Sequence, residues 1–413
     1  MKRIHLLGLP LVVAMLAAST PSTFGSGFAV IEQSARSIGM ANSNGATIDD
    51  DPTAIYFNPA GIGWIEGTEV SLGAHIVSPK FTFSDKGSTQ VGGGLGGDAG
   101  PTACVPSLYA GHKLNEKVAI GIGLFSPFGL TTEYDSNWIG RFSALKSEVM
   151  TANVNPTAAV KVNERLSVGA GVSAQYVEAE LTQALSPMAP GAVGKIEGDD
   201  YGYGFNLGAQ YAVTDKTMAG VSYRSTIDHE LEGDANFSGL MPKSDVKADL
   251  ETPDTLSFGM SQKISDVWKV YADVTWTGWS SFDELRVRYE DGRPDTVTPE
   301  NWDDTWRYSI GTEYTFCEKW TARFGLAYDE TPVPDSKHRT ARIPDADRTW
   351  LALGLGYQPT ASWDLDAGFM YVLFNDSQID HTYAQGASLV GEYEGEAIRS
   401  EEHTSELQSR QSI

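Results

Sequence analysis

In this 413-residue chain, few residues have the types and spacing that catalysis requires. Its two cysteines, Cys104 and Cys317, predict neither a disulfide framework nor a metal site, and its seven histidines follow no zinc-type spacing. The sequence also lacks a His-Glu-x-x-His motif, a Gly-x-Ser-x-Gly nucleophile elbow and a phosphate-binding P-loop. We therefore predict that the protein is not an enzyme and has no catalytic residue, metal or cofactor.

Three successive acids, Asp49 to Asp51, are a candidate cation site. Calcium loops place their acidic and amide ligands at spaced positions around a glycine, and this triplet does not. A solvated turn explains it better. The formal net charge of −24 argues against nucleic acid as a partner and predicts acidic surface loops.

Residues 1–25 have the organisation of a secretory signal peptide. Lys2 and Arg3 form the charged start, and an apolar core runs from Leu6 to Ala18. This run is too short for a helical anchor, and no later stretch reaches the ~20 apolar residues that a spanning helix needs. The chain is therefore predicted to be exported, with cleavage of the signal.

Beyond about residue 67 the chain consists of alternating β segments. Apolar side chains take every second position in stretches such as 70–76, 118–124 and 203–211. A soluble sandwich would also alternate. Here, however, the polar face contains many glycines and the apolar face many aromatic residues, which favours a membrane β-barrel whose apolar face meets lipid.

The connections between segments alternate between short and long, as in outer-membrane barrels with short periplasmic turns and long external loops. The short ones are 114–116, 163–165, 214–216, 265–266, 317–319 and 360–362, and the long ones lie near 79–101, 129–146, 184–199, 233–245, 284–303 and 331–346. Trp268, Trp320 and Trp363 each follow a short turn. We place them in the periplasmic aromatic girdle.

About thirteen such segments can be counted, whereas single-chain bacterial barrels have even strand numbers. The missing strand should follow the loop at 376–394. Residues Arg399 to Ser409 are polar, do not alternate and match the translation of a common sequencing adapter. We interpret residues 399–413 as a non-native tail that truncates the last strand of a barrel at 67–398; the alternative is a natural disordered tail.

Residues 26–66, called the hatch from here on, precede the first strand and do not alternate. Small residues break up the segment, and the turn-forming Asn58-Pro59 lies near its end. Such a segment would fray in water unless something enclosed it. We predict that it plugs the lumen of the barrel.

Three groups of residues form a recognisable pattern. They are Gly27-Phe28, Glu32, Gly39, Ala41, Ala46, Asp50-Asp51, Ala54 and Asn58-Pro59-Ala60-Gly61 in the hatch; Gly100-Pro101-Thr102-Ala103 with Val105-Pro106; and Pro127 to Tyr134 leading to Asn137 to Phe142. Together they resemble FadL-type outer-membrane transporters, a family that includes long-chain fatty acid transporters and importers of aromatic hydrocarbons.

This resemblance implies an all-β fold, a 14-stranded transmembrane antiparallel barrel with the hatch in its lumen. It also implies a passive route in which a hydrophobic ligand is captured outside, binds beside the hatch and leaves sideways through a gap at a kinked strand. The implied ligand and hatch residues are Ser26, Gly27, Phe28, Asn58, Pro59 and Ala60. The implied lateral gate consists of Ala103, Ser126, Pro127, Phe128 and Gly129.

The kink can also be argued from the residues. The third segment alternates to Leu124 and then contains Pro127 and Gly129. Proline cannot donate to a sheet ladder, so a paired central strand should not contain it. Either the ladder breaks here or Pro127 begins an outer loop. Phe28 likewise has two interpretations, contact with an acyl chain or packing within the hatch.

A fatty-acid carboxylate would need a cationic partner in a poorly hydrated lumen. The candidates are Arg141, Lys146, Arg224, Arg307 and Arg323, of which the last three face inward by phase. Each is alternatively part of an ion pair, for example with Asp273 or Glu313. Apolar residues in two long loops (Leu185, Met188, Val193 and Ile196; Phe237, Leu240 and Met241) are candidates for a capture groove.

These features predict a monomeric bacterial outer-membrane channel for hydrophobic molecules, in contact with lipid and lipopolysaccharide. Long-chain fatty acids are the first expectation, and aromatic or alkane hydrocarbons are the alternative. A general porin would need an open lumen, and a structural or adhesive barrel would not need the hatch for uptake. Apolar pockets discriminate weakly between such ligands, by roughly 1–3 kcal/mol per methylene.

Overall fold

The computed structural model describes residues 26–89, 92–189, 191–383 and 387–408, and the predicted signal peptide lies outside them. Within these ranges twenty strands join in one sheet. The strands are β1 Thr68–Asp85, β2 Ala103–Lys113, β3 Val118–Phe125, β4 Gly129–Glu133, β5 Lys146–Asn163, β6 Leu166–Ala184, β7 Val193–Thr214, β8 Thr217–Arg224, β9 Ile227–Asn236, β10 Ser244–Thr252, β11 Thr255–Ser265, β12 Trp268–Thr277, β13 Glu284–Tyr289, β14 Thr296–Pro299, β15 Thr305–Cys317, β16 Trp320–Asp329, β17 Arg348–Thr360, β18 Trp363–Phe374, β19 Ser377–Thr382 and β20 Ser388–Gln408.

These strands make a closed antiparallel barrel of 14 wall segments. Six segments are each broken into two strands, namely β3–β4, β8–β9, β10–β11, β12–β13, β14–β15 and β18–β19. The predicted short turns are all present. The stretch 284–303, predicted as a loop, instead contains the β13–β14 hairpin, whose residues pair from Glu284–Pro299 to Val287–Thr296.

Strand β20 closes the barrel along the whole length of β1, from Thr68–Gln408 to Asp85–Gly391. The barrel of 14 wall segments is therefore closed, as predicted. Ladder hydrogen bonds join backbone groups, so a polar stretch without alternation can still complete the wall. The origin of residues 399–413 is not decided by this pairing and stays a prediction.

The outward face of the wall is apolar, as the alternation predicted. Leu72, Ile310 and Leu353 each expose more than half of their surface. Trp268 and Trp363 are exposed at the ends of their strands beside the short turns. No helix within the described residues is long and apolar enough to cross a membrane.

The hatch fills the lumen with short helical turns rather than strands. It contains α1 Ala35–Ile38, α2 Ala54–Phe57 and two 3₁₀ helices, Gly45–Thr47 and Pro59–Trp64. Ser34 caps α1 with its hydroxyl, and Asn58 caps the second 3₁₀ helix with its side-chain oxygen. Small residues allow this segment to coil tightly.

Glycines on the inner face of the wall make room for the hatch. A Cβ atom on Gly220 would overlap the carbonyl oxygen of Ala46, and one on Gly325 would overlap the backbone of Met40. Backbone cannot move aside as a flexible side chain can. The abundance of glycine on the polar face of the strands is thus explained by contact with the hatch.

Ion pairs fix the hatch at the end of the lumen beside the short turns. Arg36 lies 2.7 Å from Asp50 and 3.1 Å from Glu313 of β15. Lys269 of β12 lies 3.5 Å from Asp49. The acidic triplet predicted as a solvated turn is therefore partly engaged in ionic anchoring of the hatch.

Candidate functional site: an inner cavity, a groove and a gap in the wall

An apolar cavity lies in the lumen on the side of the long loops, and is called the inner cavity here. Its walls come from the hatch, from strands β4 to β7, β9, β10 and β13, and from three of the connections between strands. The apolar lining residues are Phe28, Leu130, Val149, Ala179, Leu181, Ile196, Leu231, Val246, Ala248, Leu250, Phe282, Leu285, Val287 and Ile343. Such a lining suits the hydrocarbon part of a ligand.

The end of the inner cavity against the hatch is a cluster of aromatic rings. The ring of Phe28 lies 4.7 Å from that of Trp279 in an edge-to-face arrangement, and 5.8 Å from those of Phe128 and Phe282. Trp279 and Phe282 reach the lumen because the wall breaks between β12 and β13. Phe28 thus belongs both to the packing of the hatch and to the cavity lining, so the two sequence interpretations are compatible.

Gly27 lets the chain turn beneath this cluster. Its φ is +60°, and a Cβ atom there would lie 2.6 Å from the ring of Trp302. Both conditions favour glycine. Its amide donates to a carboxylate oxygen of Asp345 at 3.1 Å, and the hydroxyl of Ser26 donates to the carbonyl of Glu330 at 2.8 Å.

Four charged residues border the inner cavity. Glu197 of β7 and Asp249 of β10 are ion-paired with Lys195 and Arg288. Arg342 comes from the loop between β16 and β17, and Glu300 from the connection between β14 and β15. Arg342 donates to Ser147 Oγ and Gln183 Oε1, both at 3.0 Å. Burial lowers the pKa of the Arg342 guanidinium to about 10, so it stays cationic at neutral pH. Burial raises the pKa of the Glu300 carboxyl to about 8, so it is mostly protonated there.

A second, wider space opens above the inner cavity between the long loops, and is called the mouth groove here. It shares Leu181, Ile196, Leu285, Val287 and Arg342 with the inner cavity, so the two are continuous. Leu185, Ile196 and Phe237, three of the residues predicted for a capture groove, line it. Met188, Leu240 and Met241 are exposed to solvent.

The wall has a gap where the sequence contains Pro127. Strand β3 pairs with β2 only up to Leu124–Leu108, and β4 pairs with β5 alone. Residues Ala103–Ser107 of β2 therefore face the segment Phe125–Gly129 without a ladder. This region is called the wall gap here. Since the chain continues through β4 in the wall, the alternative that Pro127 begins an outer loop is wrong.

The hatch satisfies backbone groups that the wall gap leaves open. Val30 N donates to the carbonyl of Pro127 at 2.8 Å, and Gly129 N donates to that of Phe28 at 2.9 Å. Gln33 donates to the carbonyl of Ser126 at 2.9 Å and accepts from the hydroxyl of Tyr109 on β2. The strand-like residues Phe28–Val30 thus connect the inner cavity directly to the kink.

Asn58 joins the hatch to the wall. Its side-chain nitrogen donates to the carbonyl of Ala46 at 2.7 Å and approaches the carbonyls of Ala209 and Val221, both at 3.3 Å. Pro59 starts the second 3₁₀ helix, and the carbonyl of Ala60 accepts from the Ser167 hydroxyl at 2.7 Å. Their contacts are within the hatch and with the wall, and none of the three lines the inner cavity.

The predicted cations have different surroundings. Arg141 lies in the loop after β4 and donates to the carbonyls of Gly92 and Trp138. Arg323 faces inward and is ion-paired with Asp366 at 2.5 Å and Glu313 at 3.5 Å, as its alternative interpretation predicted. None of the predicted cations lines the inner cavity.

Arg224 and Arg307 line a separate space beside the hatch. It is called the hatch cavity here. Ala29, Ile31, Pro127 and Phe128 also line it. Phe28 of the inner cavity precedes Ala29 in the chain, and its ring lies 5.8 Å from that of Phe128, so the two cavities approach each other at these residues.

Taken together, the fold and this geometry define an outer-membrane barrel with a plugged lumen and an internal apolar cavity. Residues 15–402 match the outer membrane protein transport protein family described as OMPP1/FadL/TodX. The chain belongs to this family. It is an outer-membrane transporter for hydrophobic substrates.

Named relatives are of the same kind. A long-chain fatty acid transport protein of Escherichia coli O6:H1 is 27% identical, over 94% of this chain and 95% of its own length. A 47 kDa outer membrane protein of Pasteurella multocida is 29% identical, over 92% and 96%. A solved Pseudomonas aeruginosa FadL homologue superposes with a TM-score of 0.86 at 25% identity, covering 92% of this chain and 99% of that one.

The fold also matches the toluene transporter TodX of Pseudomonas putida, with a TM-score of 0.72 at 18% identity, over 92% of this chain and all of that one.

Sequence reasoning missed the residues that come from long external segments. Arg342, Glu300, Trp279 and Trp302 all lie in connections where no periodicity indicates burial. One signal was available, since Trp279, Phe282 and Trp302 lie near or within one long connection and large aromatic side chains are costly to leave in water.

Proposed function

We propose that the protein takes up long-chain fatty acids passively, from the mouth groove through the inner cavity and out through the wall gap. The observation that carries the proposal is an apolar cavity with one cationic side chain, Arg342, at its junction with the mouth groove. A carboxylate held by Arg342 leaves the hydrocarbon chain to lie along the apolar lining. Charge-assisted hydrogen bonds of this kind are strong in a poorly hydrated site.

Glu300 adds to this preference while it is protonated. A neutral carboxyl can donate a hydrogen bond to a bound carboxylate, whereas an ionised one would repel it and compete for Arg342. At neutral pH, therefore, the polar end of the inner cavity offers a cation and a neutral donor. Both suit an anionic head group.

Exit through the wall gap is supported by the bonds that join the hatch to the kink. An acyl chain that displaces Phe28 moves the same residues, 28–30, that hold the backbone of Pro127 and Gly129. The wall gap has no ladder to break, so a ligand reaches lipid without the cost of exposing paired strand edges.

The alternative ligand class within this proposal is aromatic or alkane hydrocarbons. The aromatic cluster around Phe28 would accept these ligands without any need for Arg342. A general porin is disfavoured because the hatch fills the lumen and is tied to the wall by Asn58 and Arg36. Monomeric state and contact with lipopolysaccharide remain predictions.

The test is equilibrium binding of three ligands to the purified protein, palmitate, hexadecanol and toluene, followed by their entry into reconstituted vesicles. Saturable binding and entry of palmitate, tighter than those of hexadecanol, support the fatty-acid proposal. Preference for toluene over both would transfer the proposal to hydrocarbons. Free ion conductance without entry of any ligand would favour the porin.

A further inference from the structure

The hatch cavity contains positive charge without an acidic partner in its lining. Arg224 and Arg307 both face it, and its described lining residues include no aspartate or glutamate. Within the described part of the chain, neither guanidinium has a carboxylate oxygen within 4.0 Å. Buried cations are normally paired, so such a site favours an anion.

Arg224 is the better placed of the two. Its guanidinium donates to the carbonyl of Tyr56 at 2.9 Å and lies over the rings of Tyr56 and Phe125, at 5.1 and 5.5 Å from their centroids. Phe125 is the residue at which β3 ends and the wall gap begins. The charge of Arg224 is therefore next to the proposed exit.

The positive charge of Arg307 is partly balanced by a nearby carboxylate. One of its nitrogens donates to Thr275 Oγ1 at 3.0 Å, and Asp273 is near enough to attract it. Asp273 itself accepts from Thr275 and from the amide of Ala46. Arg307 thus adds to the positive potential of the hatch cavity, while Arg224 has the free binding capacity.

We infer that the hatch cavity is a second carboxylate subsite, in which Arg224 receives the head group of a fatty acid as its chain leaves through the wall gap. This inference rests on the proposed fatty-acid function. The two cavities approach each other at Phe28 and Phe128, so a shift of these two side chains joins the site at Arg342 to the site at Arg224. The carboxylate head group then has a cationic partner at both ends of its path, first Arg342 and then Arg224.

The proposed subsite predicts that Arg224 affects the entry of palmitate into vesicles but not the binding of palmitate to the inner cavity. In Arg224→Met, palmitate binding to the inner cavity should be unchanged, whereas palmitate entry into vesicles should fall about tenfold or more, the value of one charge-assisted hydrogen bond. Entry of hexadecanol, which has the same chain and no charge, should be unchanged. Arg224→Lys should restore most of the palmitate entry.

Two controls separate this role from anchoring of the hatch. Ser173→Ala removes a 3.4 Å contact of Arg224 without changing charge, and Arg165→Met removes an exposed arginine at a short turn. Equal loss of palmitate and hexadecanol entry in Arg224→Met would mean that Arg224 only holds Tyr56, and would overturn the inference. Unchanged palmitate entry would overturn it as well.

A third outcome is that the wild-type protein transports neither palmitate nor hexadecanol. That result would overturn the proposed function and this inference with it. Loss of selectivity for palmitate at Arg224, with wild-type transport intact, concerns the second subsite alone.

Discussion

Arg342 is the only arginine or lysine among the described lining residues of the inner cavity. Replacement by methionine keeps an unbranched apolar stem and removes the charge. Palmitate affinity in Arg342→Met should fall about tenfold or more, while hexadecanol affinity should change little. Calorimetric titration of both ligands tests this, and equal affinities for palmitate before and after substitution would exclude Arg342 as the head-group partner.

The titration of Glu300 predicts how the affinity for palmitate depends on pH. Because burial raises its pKa to about 8, the carboxyl is neutral below that value and becomes anionic as the pH rises through it. Arg342, with a pKa of about 10, keeps its charge over the same range. Palmitate affinity should therefore fall between about pH 7 and about pH 9, because an ionised Glu300 opposes the ligand's charge.

The matched variant for this measurement is Glu300→Gln, which cannot ionise. Any change that comes from the ligand itself will appear in both proteins, so the difference between the two pH profiles is the quantity of interest. Identical profiles would show that Glu300 does not titrate against the bound carboxylate.

At the scale of elements, the seating of the hatch depends on glycines in the wall. Gly220→Val places two methyl groups where Ala46 lies, and should displace the hatch and raise ion conductance in planar bilayers. Gly94→Ala is the control, since a Cβ atom there meets open space. Conductance as low in Gly220→Val as in wild type would mean that the hatch is not the seal.

The kink in the third wall segment makes a separate prediction. Pro127→Ala restores an amide that can donate to the free edge of β2, which should favour closure of the wall gap. Entry of palmitate into vesicles should slow several-fold, with binding to the inner cavity unchanged. Faster entry, or weaker binding at unchanged entry, would contradict a gating role for this proline.

Sequence reasoning succeeds for the elements whose pattern is repeated. The alternation in 70–76 or 203–211 separates lipid-facing from lumen-facing residues, and Pro127 marks the break in the ladder. It fails for Arg342 and Glu300 because a connection has no period, and nothing local indicates that it folds back into the lumen. The closing strand was absent from the count of about thirteen segments, since backbone pairing does not require the apolar alternation that was used to count strands.

At the scale of the whole molecule, the barrel and the hatch have different roles. The wall supplies an apolar exterior and an interrupted ladder, and the hatch supplies both the plug and the residues that connect the inner cavity to the wall gap. The long loops complete the polar end of the inner cavity. The proposed route needs no energy source in the protein, only the movement of residues 28–30.

The path itself can be measured with a long-chain fatty acid that carries a photoreactive group at the end of its chain. Irradiation of the loaded protein in vesicles, followed by peptide mapping, should label the inner cavity near Phe28 and Leu130 and the two edges of the wall gap, 103–107 and 125–129. Arg36 and Asp366 line a polar space at the end of the lumen beside the short turns. Labelling of the inner cavity together with this space, and none at the wall gap, would contradict lateral exit and indicate passage along the hatch toward the short turns.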